Sequence, residues 1–162
     1  MKIAVLILGV GLALLTRTQA RVWTSEFALW DQARSVSPTK PRVLLNLAVT
    51  LEQRGDREAA WALYPQVITA AGDPRRAAQA NTFSIIAARS NQARLLLQGG
   101  AAQDAGMLLD QVLAVAPNFA IAHFNRGRVF ERLGDCAAAT KEWQTAARLL
   151  KTLEVPPCPA GS

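Results

Sequence analysis

A pattern of small and large residues recurs three times in this 162-residue chain and limits the folds that it can adopt. Each copy has a glycine, an alanine five residues later, and a large apolar residue four positions beyond that alanine. The copies start at Gly55, Gly100 and Gly134, and the last two are 34 residues apart. Such a period indicates a supersecondary unit that cannot bury its apolar face alone and therefore stacks on its neighbours.

A second set of small residues, Ala48, Ala93 and Gly127, precedes the three glycines by seven positions. Small side chains let paired helices approach closely, and a glycine between two helices can adopt the positive φ that ends the first one. The pattern therefore predicts hairpins of two helices that pack through their small residues, with large apolar residues filling the remaining space.

Residues with this phasing, and the Gly-Asp pair that begins the first and third copies, resemble the tetratricopeptide repeat, a family of 34-residue helix–turn–helix units. The resemblance implies an all-α fold, a right-handed solenoid of helical hairpins behind an N-terminal hydrophobic helix. The segments that it implies are a capping half-repeat at 21–40, repeats at 41–74, 86–119 and 120–153, and a flexible tail at 154–162.

Eleven additional residues, 75–85, separate the first unit from the second. Because eleven residues make close to three helical turns, they can lengthen a helix without changing its phase. Asp73-Pro74 is typical of a helix start, so the sequence predicts one helix from about Pro74 to Gln98. The alternative is a break near 81–84, where the residues are weak helix formers.

An unbroken apolar run of thirteen residues, from Ile3 to Leu15, stands near the start of the chain. Its length fits the apolar region of a secretory signal and falls short of a comfortable span, which needs about 20 residues. Two interpretations stay open: a signal peptide cleaved after Ala20, or an uncleaved signal-anchor over 1–20. The poor cleavage motif before Ala20 favours the anchor. A buried core helix is a third alternative, disfavoured because the run has no polar face.

The segment that follows this run resembles a second known arrangement. Arg21 and the pattern Trp23-x-x-Glu26-x-x-Leu29-Trp30 are similar to the junction in multi-pass membrane proteins related to O-mannosyltransferases, in which extracytoplasmic tetratricopeptide repeats follow the last membrane helix. The resemblance implies a single N-terminal anchor with the repeats on the periplasmic or extracytoplasmic side. Nothing of that family's glycosyltransferase region is present, so no transferase activity is implied. The arginines after the apolar run instead favour a cytoplasmic location for the rest of the chain, by the positive-inside rule. This conflicts with the extracytoplasmic location that the resemblance implies.

The composition argues against catalysis. One histidine and two cysteines leave little material for acid–base or metal chemistry, so we expect no enzyme activity, metal or cofactor. His123 lacks a partner nucleophile and is interpreted as structural.

Cys136 and Cys158 form no C-x-x-C motif; we expect free thiols, unless an extracytoplasmic location lets the tail fold back into a disulfide. The net charge of +6 comes from scattered arginines, which does not indicate nucleic-acid binding.

The resemblance to tetratricopeptide repeats also implies a concave groove, lined by the first helix of each unit, that binds a peptide segment. Asparagines share one phase of the three units, and a side-chain amide can pair with a peptide backbone. Arginines at these positions can form paired hydrogen bonds with carboxylates. The alternative is that asparagine at this phase is only a consensus residue of the repeat and that the helix-surface arginines are only solvated. The predicted groove residues are Arg42, Asn46, Val49, Asn91, Arg94, Gln98, Phe124, Asn125, Arg128 and Arg132.

Together these patterns favour a non-catalytic, membrane-tethered module that binds a protein or peptide ligand. The alternative is an accessory or detached C-terminal part of a membrane glycosyltransferase-type assembly, which would act with a multi-pass membrane partner. Because a short stack exposes its ends, self-association through the Trp143 helix or the extension at 75–85 is a further expectation.

Overall fold

The computed structural model describes residues 25–72 and 78–158, with side chains over 25–72 and 82–158. The predicted anchor at 1–20 lies outside the described residues. All regular elements of the described part are helices, so the predicted all-α class is confirmed. None of these helices is both long and apolar enough to cross a membrane.

The helices alternate with short turns. They are α1 (Glu26–Val36), α2 (Pro41–Gln53), α3 (Arg57–Ala71), α4 (Ala78–Gln98), α5 (Ala102–Val115), α6 (Ala120–Arg132) and α7 (Cys136–Leu149). Each packs against the next one along the chain, and α4 also contacts α2 and α6. Among the described helices, none packs to this extent against a helix more than two positions away in chain order.

Three turns of identical construction join α2 to α3, α4 to α5 and α6 to α7. Each contains a glycine with positive φ: +88° at Gly55, +86° at Gly100 and +81° at Gly134. The glycine amide donates to the carbonyl three residues back, and the next amide donates to the carbonyl five residues back, at 2.9–3.2 Å. This is the Schellman arrangement, in which a glycine satisfies the last carbonyls of a helix.

The residue after each glycine is the N-cap residue of the next helix. The carboxylate of Asp56 accepts a hydrogen bond from the amide of Ala59 at 3.1 Å, and that of Asp135 accepts one from Ala138 at 2.9 Å. These are N-caps, so Gly-Asp recurs because one residue ends a helix and the other starts the next. Ala101 stands in the middle turn, where no side chain caps α5.

The small residues of both phases lie in the core, as the hairpin pattern requires. Ala48 and Ala93 are fully buried, as are the alanines at 60, 105 and 139. The large residues that oppose them, Tyr64, Leu109 and Trp143, are also enclosed. Close helix approach through small residues therefore leaves room for one large side chain in each hairpin.

Helix α4 joins the two halves of the core. The alternative break near 81–84 does not occur, because α4 is continuous from Ala78 to Gln98; its expected start at Pro74 lies outside the described residues. Ala88 and Leu95 belong to the first apolar cluster, with Tyr64, and neighbouring residues of α4 belong to the second.

The first helix, α1, covers the open side of α2. Phe27 and Trp30 pack on the first apolar cluster, and the guanidinium of Arg54 lies 4.3 Å from the centre of the Phe27 ring. Ser25 caps the helix by accepting from the amide of Ala28 at 3.1 Å. Pro65 lies inside α3 without ending it, at an exposed position.

The expectation of two free thiols is wrong. Cys136, the first residue of α7, is bonded to Cys158, with their Cα atoms 5.6 Å apart. The fourteen residues of α7 span about 21 Å, and the nine residues from 150 to 158 reach about 30 Å when extended. The tail is therefore long enough to return from the end of α7 to its start.

Candidate functional site

The ten predicted groove residues lie on α2, α4 and α6, but they differ in exposure. The exposed ones are Arg42, Gln98 and Arg132, and the half-buried ones are Asn46, Val49, Asn91, Arg94, Phe124 and Arg128. Asn125 is only 4% exposed, so its amide lies in the interior. Of the three asparagines that share a phase, only Asn46 and Asn91 therefore retain surface for a ligand.

Arg94 binds a carboxylate that belongs to the protein itself. Its Nη1 donates to Oε1 of Glu52, whose side chain is 7% exposed. The hydroxyl of Tyr64 donates to the other oxygen, Oε2, at 3.1 Å. Burial raises the pKa of Tyr64, and the Glu52 carboxylate raises it further, so the hydroxyl remains a donor. This cluster links α2, α3 and α4. Arg94, one of the predicted groove arginines, is therefore already paired within the protein.

A second ionic cluster ties α5, α6 and α7 together. The buried Glu142 receives hydrogen bonds at Oε1 from Nη2 of Arg126, at 2.6 Å, and at Oε2 from Nδ1 of His123, at 2.7 Å. Nη1 of Arg126 also donates to Asp110 at 3.1 Å. The other ring nitrogen of His123 lies 2.8 Å from the carbonyl of Pro117, so both ring nitrogens contact acceptors within the protein.

The charges of this second cluster stabilise one another. Burial by itself raises the pKa of Glu142, but hydrogen bonds from Arg126 and His123 outweigh burial and lower it. In the described part of the chain, no group of His, Cys, Asp and Glu side chains could hold a metal ion. The observed contacts of this cluster connect three helices. Sequence reasoning missed both clusters because their partners are distant in the chain.

A cavity of about 530 Å³ opens between α2 and the first part of α4. Its lining residues are Lys40, Pro41, Arg42, Leu45, Asn46, Phe83 and Ser84. Two of the predicted groove residues, Arg42 and Asn46, therefore meet here. Phe83 comes from the extension at 75–85 and is 60% exposed; it was missed because the extension was interpreted only as added helix, although a lone aromatic among small and polar residues was a signal.

Other predicted groove residues line different cavities. Gln98 lies beside a cavity of about 500 Å³ with Trp61 and Leu96, and Arg132 lies beside one of about 360 Å³ with Leu133. Both cavities include Ala101, so they lie at the turn end of the hairpins. The structure thus does not bring the predicted arginines into one carboxylate-binding cavity.

No family model matches this sequence, and no curated protein matches it. Its function must therefore be inferred from its own residues.

Proposed function

We propose that this chain is a non-catalytic, membrane-tethered tetratricopeptide-repeat module whose concave groove binds a peptide segment of another protein. One observation carries the proposal: the same glycine turn recurs at Gly55, Gly100 and Gly134, each time between two helices packed through small residues. We infer that three such hairpins stack behind the capping helix α1 into the right-handed solenoid that the sequence resemblance implies.

The contacts between helices support the choice of α2, α4 and α6 as the inner layer. Among the described helices, α2 contacts α4 and α4 contacts α6, whereas α3, α5 and α7 do not contact one another to the same extent. In a curved stack of hairpins the inner helices lie closer together than the outer ones. This difference supports a concave surface formed by the first helices of the hairpins.

The inner layer offers the chemistry that a peptide needs. Asn46 can present an amide donor and acceptor to a peptide backbone. The side chain of the half-buried Asn91 also hydrogen-bonds to Tyr64, so only part of its amide is available to a ligand. Arg42 and Arg128, which form no ion pair within the described part, can bind carboxylates of the ligand.

The proposal can be tested with the full-length chain in a mild detergent, panned against displayed random peptides. An enriched peptide should lose affinity for the Asn46→Ala and Arg128→Glu variants. Gln111→Ala and Lys141→Glu, at exposed positions of α5 and α7, serve as matched controls and should bind normally. Normal binding by both inner-layer variants would overturn the groove assignment, whatever the controls do.

We propose further that the repeats lie on the extracytoplasmic side of a membrane, tethered by residues 1–20. The disulfide between Cys136 and Cys158 supports this side, because structural disulfides persist mainly in oxidising compartments. Reporters active only in the periplasm or only in the cytoplasm, fused separately after Ser162, test the location. Activity of the cytoplasmic fusion alone would contradict it.

A further inference from the structure

The extension of α4 creates a cavity that a regular 34-residue unit would lack. The second unit begins at 86 in the repeat phase, so Phe83 lies on the added turns. Its ring lines the cavity beside Leu45 and Pro41 and stays 60% exposed. An aromatic side chain that remains so exposed beside apolar neighbours can bury much further area when a ligand arrives.

The rim of the same cavity is positively charged. Lys40 and Arg42 are exposed, and neither takes part in an ion pair within the described residues. Among the residues whose side chains the structure describes, no acidic one lines the cavity. Lys40 is also the N-cap residue of α2, which has no side-chain cap, so the positive end of the helix dipole adds to the field of the two side chains.

Asn46 connects this cavity to the rest of the inner layer. It is half-buried on α2, one helical turn after Arg42, and lines the cavity with it. Its amide can hold a peptide backbone between a charged group at the rim and an apolar group against Phe83. The volume of about 530 Å³ falls within the range of about 300–1,000 Å³ typical of ligand sites.

We propose that this cavity binds a large apolar side chain of the partner peptide, with an adjacent aspartate or glutamate paired to Lys40 and Arg42. The occupant is thus an acidic–apolar segment of another protein, and charge complementarity selects it. This inference rests on the proposed peptide-binding function and adds the chemistry of the segment that is recognised.

The probe is a display library of random short peptides panned on the full-length chain in detergent. We expect enrichment of an aspartate or glutamate next to an aromatic residue or leucine. For the enriched peptide, Phe83→Ala and Arg42→Glu should each weaken binding by about tenfold or more, in the range of interface hot spots. Replacing the acidic residue of the peptide by lysine should restore affinity for the Arg42→Glu variant.

Two matched variants control for exposure and charge. Met107→Ala removes an apolar side chain that is 61% exposed on α5, and Lys141→Glu makes the same charge change on α7; both should bind normally. Circular dichroism of all variants checks that they fold. If Arg128→Glu abolishes binding while Phe83→Ala and Arg42→Glu do not, the groove stands and the cavity proposal fails. If no inner-layer variant alters binding, both proposals fail.

Discussion

Replacing Gly127 by alanine tests whether small residues are required for close approach of the helices. A Cβ atom built on Gly127 would lie 2.4 Å from Nε1, 2.5 Å from Cδ1 and 2.9 Å from Cε2 of Trp143. Trp143 is 1% exposed, and its Nε1 donates to the carbonyl of Phe124 at 3.1 Å. The added methyl group therefore fits only if the buried indole moves and its hydrogen bond is distorted.

Opposing effects set the magnitude for Gly127→Ala. Alanine gains about 0.8–1.0 kcal/mol over glycine inside a helix. Overpacking a well-packed core costs about 1–3 kcal/mol, and leaving the indole N–H or its acceptor unpaired costs about 1–3 kcal/mol. The clash outweighs the helix propensity, and we expect the free energy of unfolding to fall by about 3 kcal/mol.

Urea denaturation followed by far-UV circular dichroism measures this change. With an m value of about 2 kcal/mol/M, the midpoint should fall by about 1.5 M. A second variant, Trp143→Leu, isolates the cause: combined with Gly127→Ala it recreates in the third hairpin the alanine–leucine pair of Ala93 and Leu109 in the second. In that background Gly127→Ala should no longer destabilise the protein, a coupling of about 3 kcal/mol in the double-mutant cycle.

Two results would refute this reasoning about Gly127. In the first, Gly127→Ala stabilises the protein, as helix propensity alone predicts. In the second, Gly127→Ala destabilises the protein by the same amount whether residue 143 is tryptophan or leucine. Either result would mean that contact with the Trp143 ring is not the reason for glycine at this position.

Three further predictions follow from the turns, the tail and the second ionic cluster. Ala101→Asp should supply the missing N-cap of α5 and raise stability by about 1 kcal/mol; an unchanged melting temperature would contradict the capping account. Cys136→Ser/Cys158→Ser removes a cross-link between residues separated by 22 positions and should cost about 3 kcal/mol, whereas equal urea midpoints with and without reductant would argue against this contribution. Because the folded pKa of Glu142 lies below its ordinary 4.5, its stabilisation is present above that pH and is lost as the pH falls through the folded value. Glu142→Gln should thus be less stable at neutral pH and lose less stability on acidification; parallel pH profiles of the two proteins would exclude this role.

Several features of the fold could be predicted because they depend on residues close together in the chain. A glycine that must adopt positive φ, an aspartate that caps the next helix, and an alanine that lets two helices touch are each local requirements. They recur with the hairpin, so Gly55-Asp56 and Ala60 reappear at 134–139. The continuity of α4 through residues 81–84 was predictable for the same reason, since eleven residues preserve the helical phase.

The candidate site was predicted less well, because position in the repeat phase does not determine exposure or partners. Asn125 has the same phase as Asn46, yet it is buried. Arg94 has the position of a ligand-binding arginine, but Glu52, forty-two residues earlier, binds it. Phe83 belongs to the extension and has no counterpart in the regular phase.

By itself, the sequence determined the helical hairpin, its turns and its small contact positions, because these follow from backbone conformation and side-chain size within one unit. Only the tertiary structure decided which charges meet and which residues face solvent. Glu52, Tyr64 and Arg94 come together through the packing of three helices, and the disulfide at Cys136 forms because the tail returns along α7. Such contacts depend on where separate units lie in space, which no local pattern encodes.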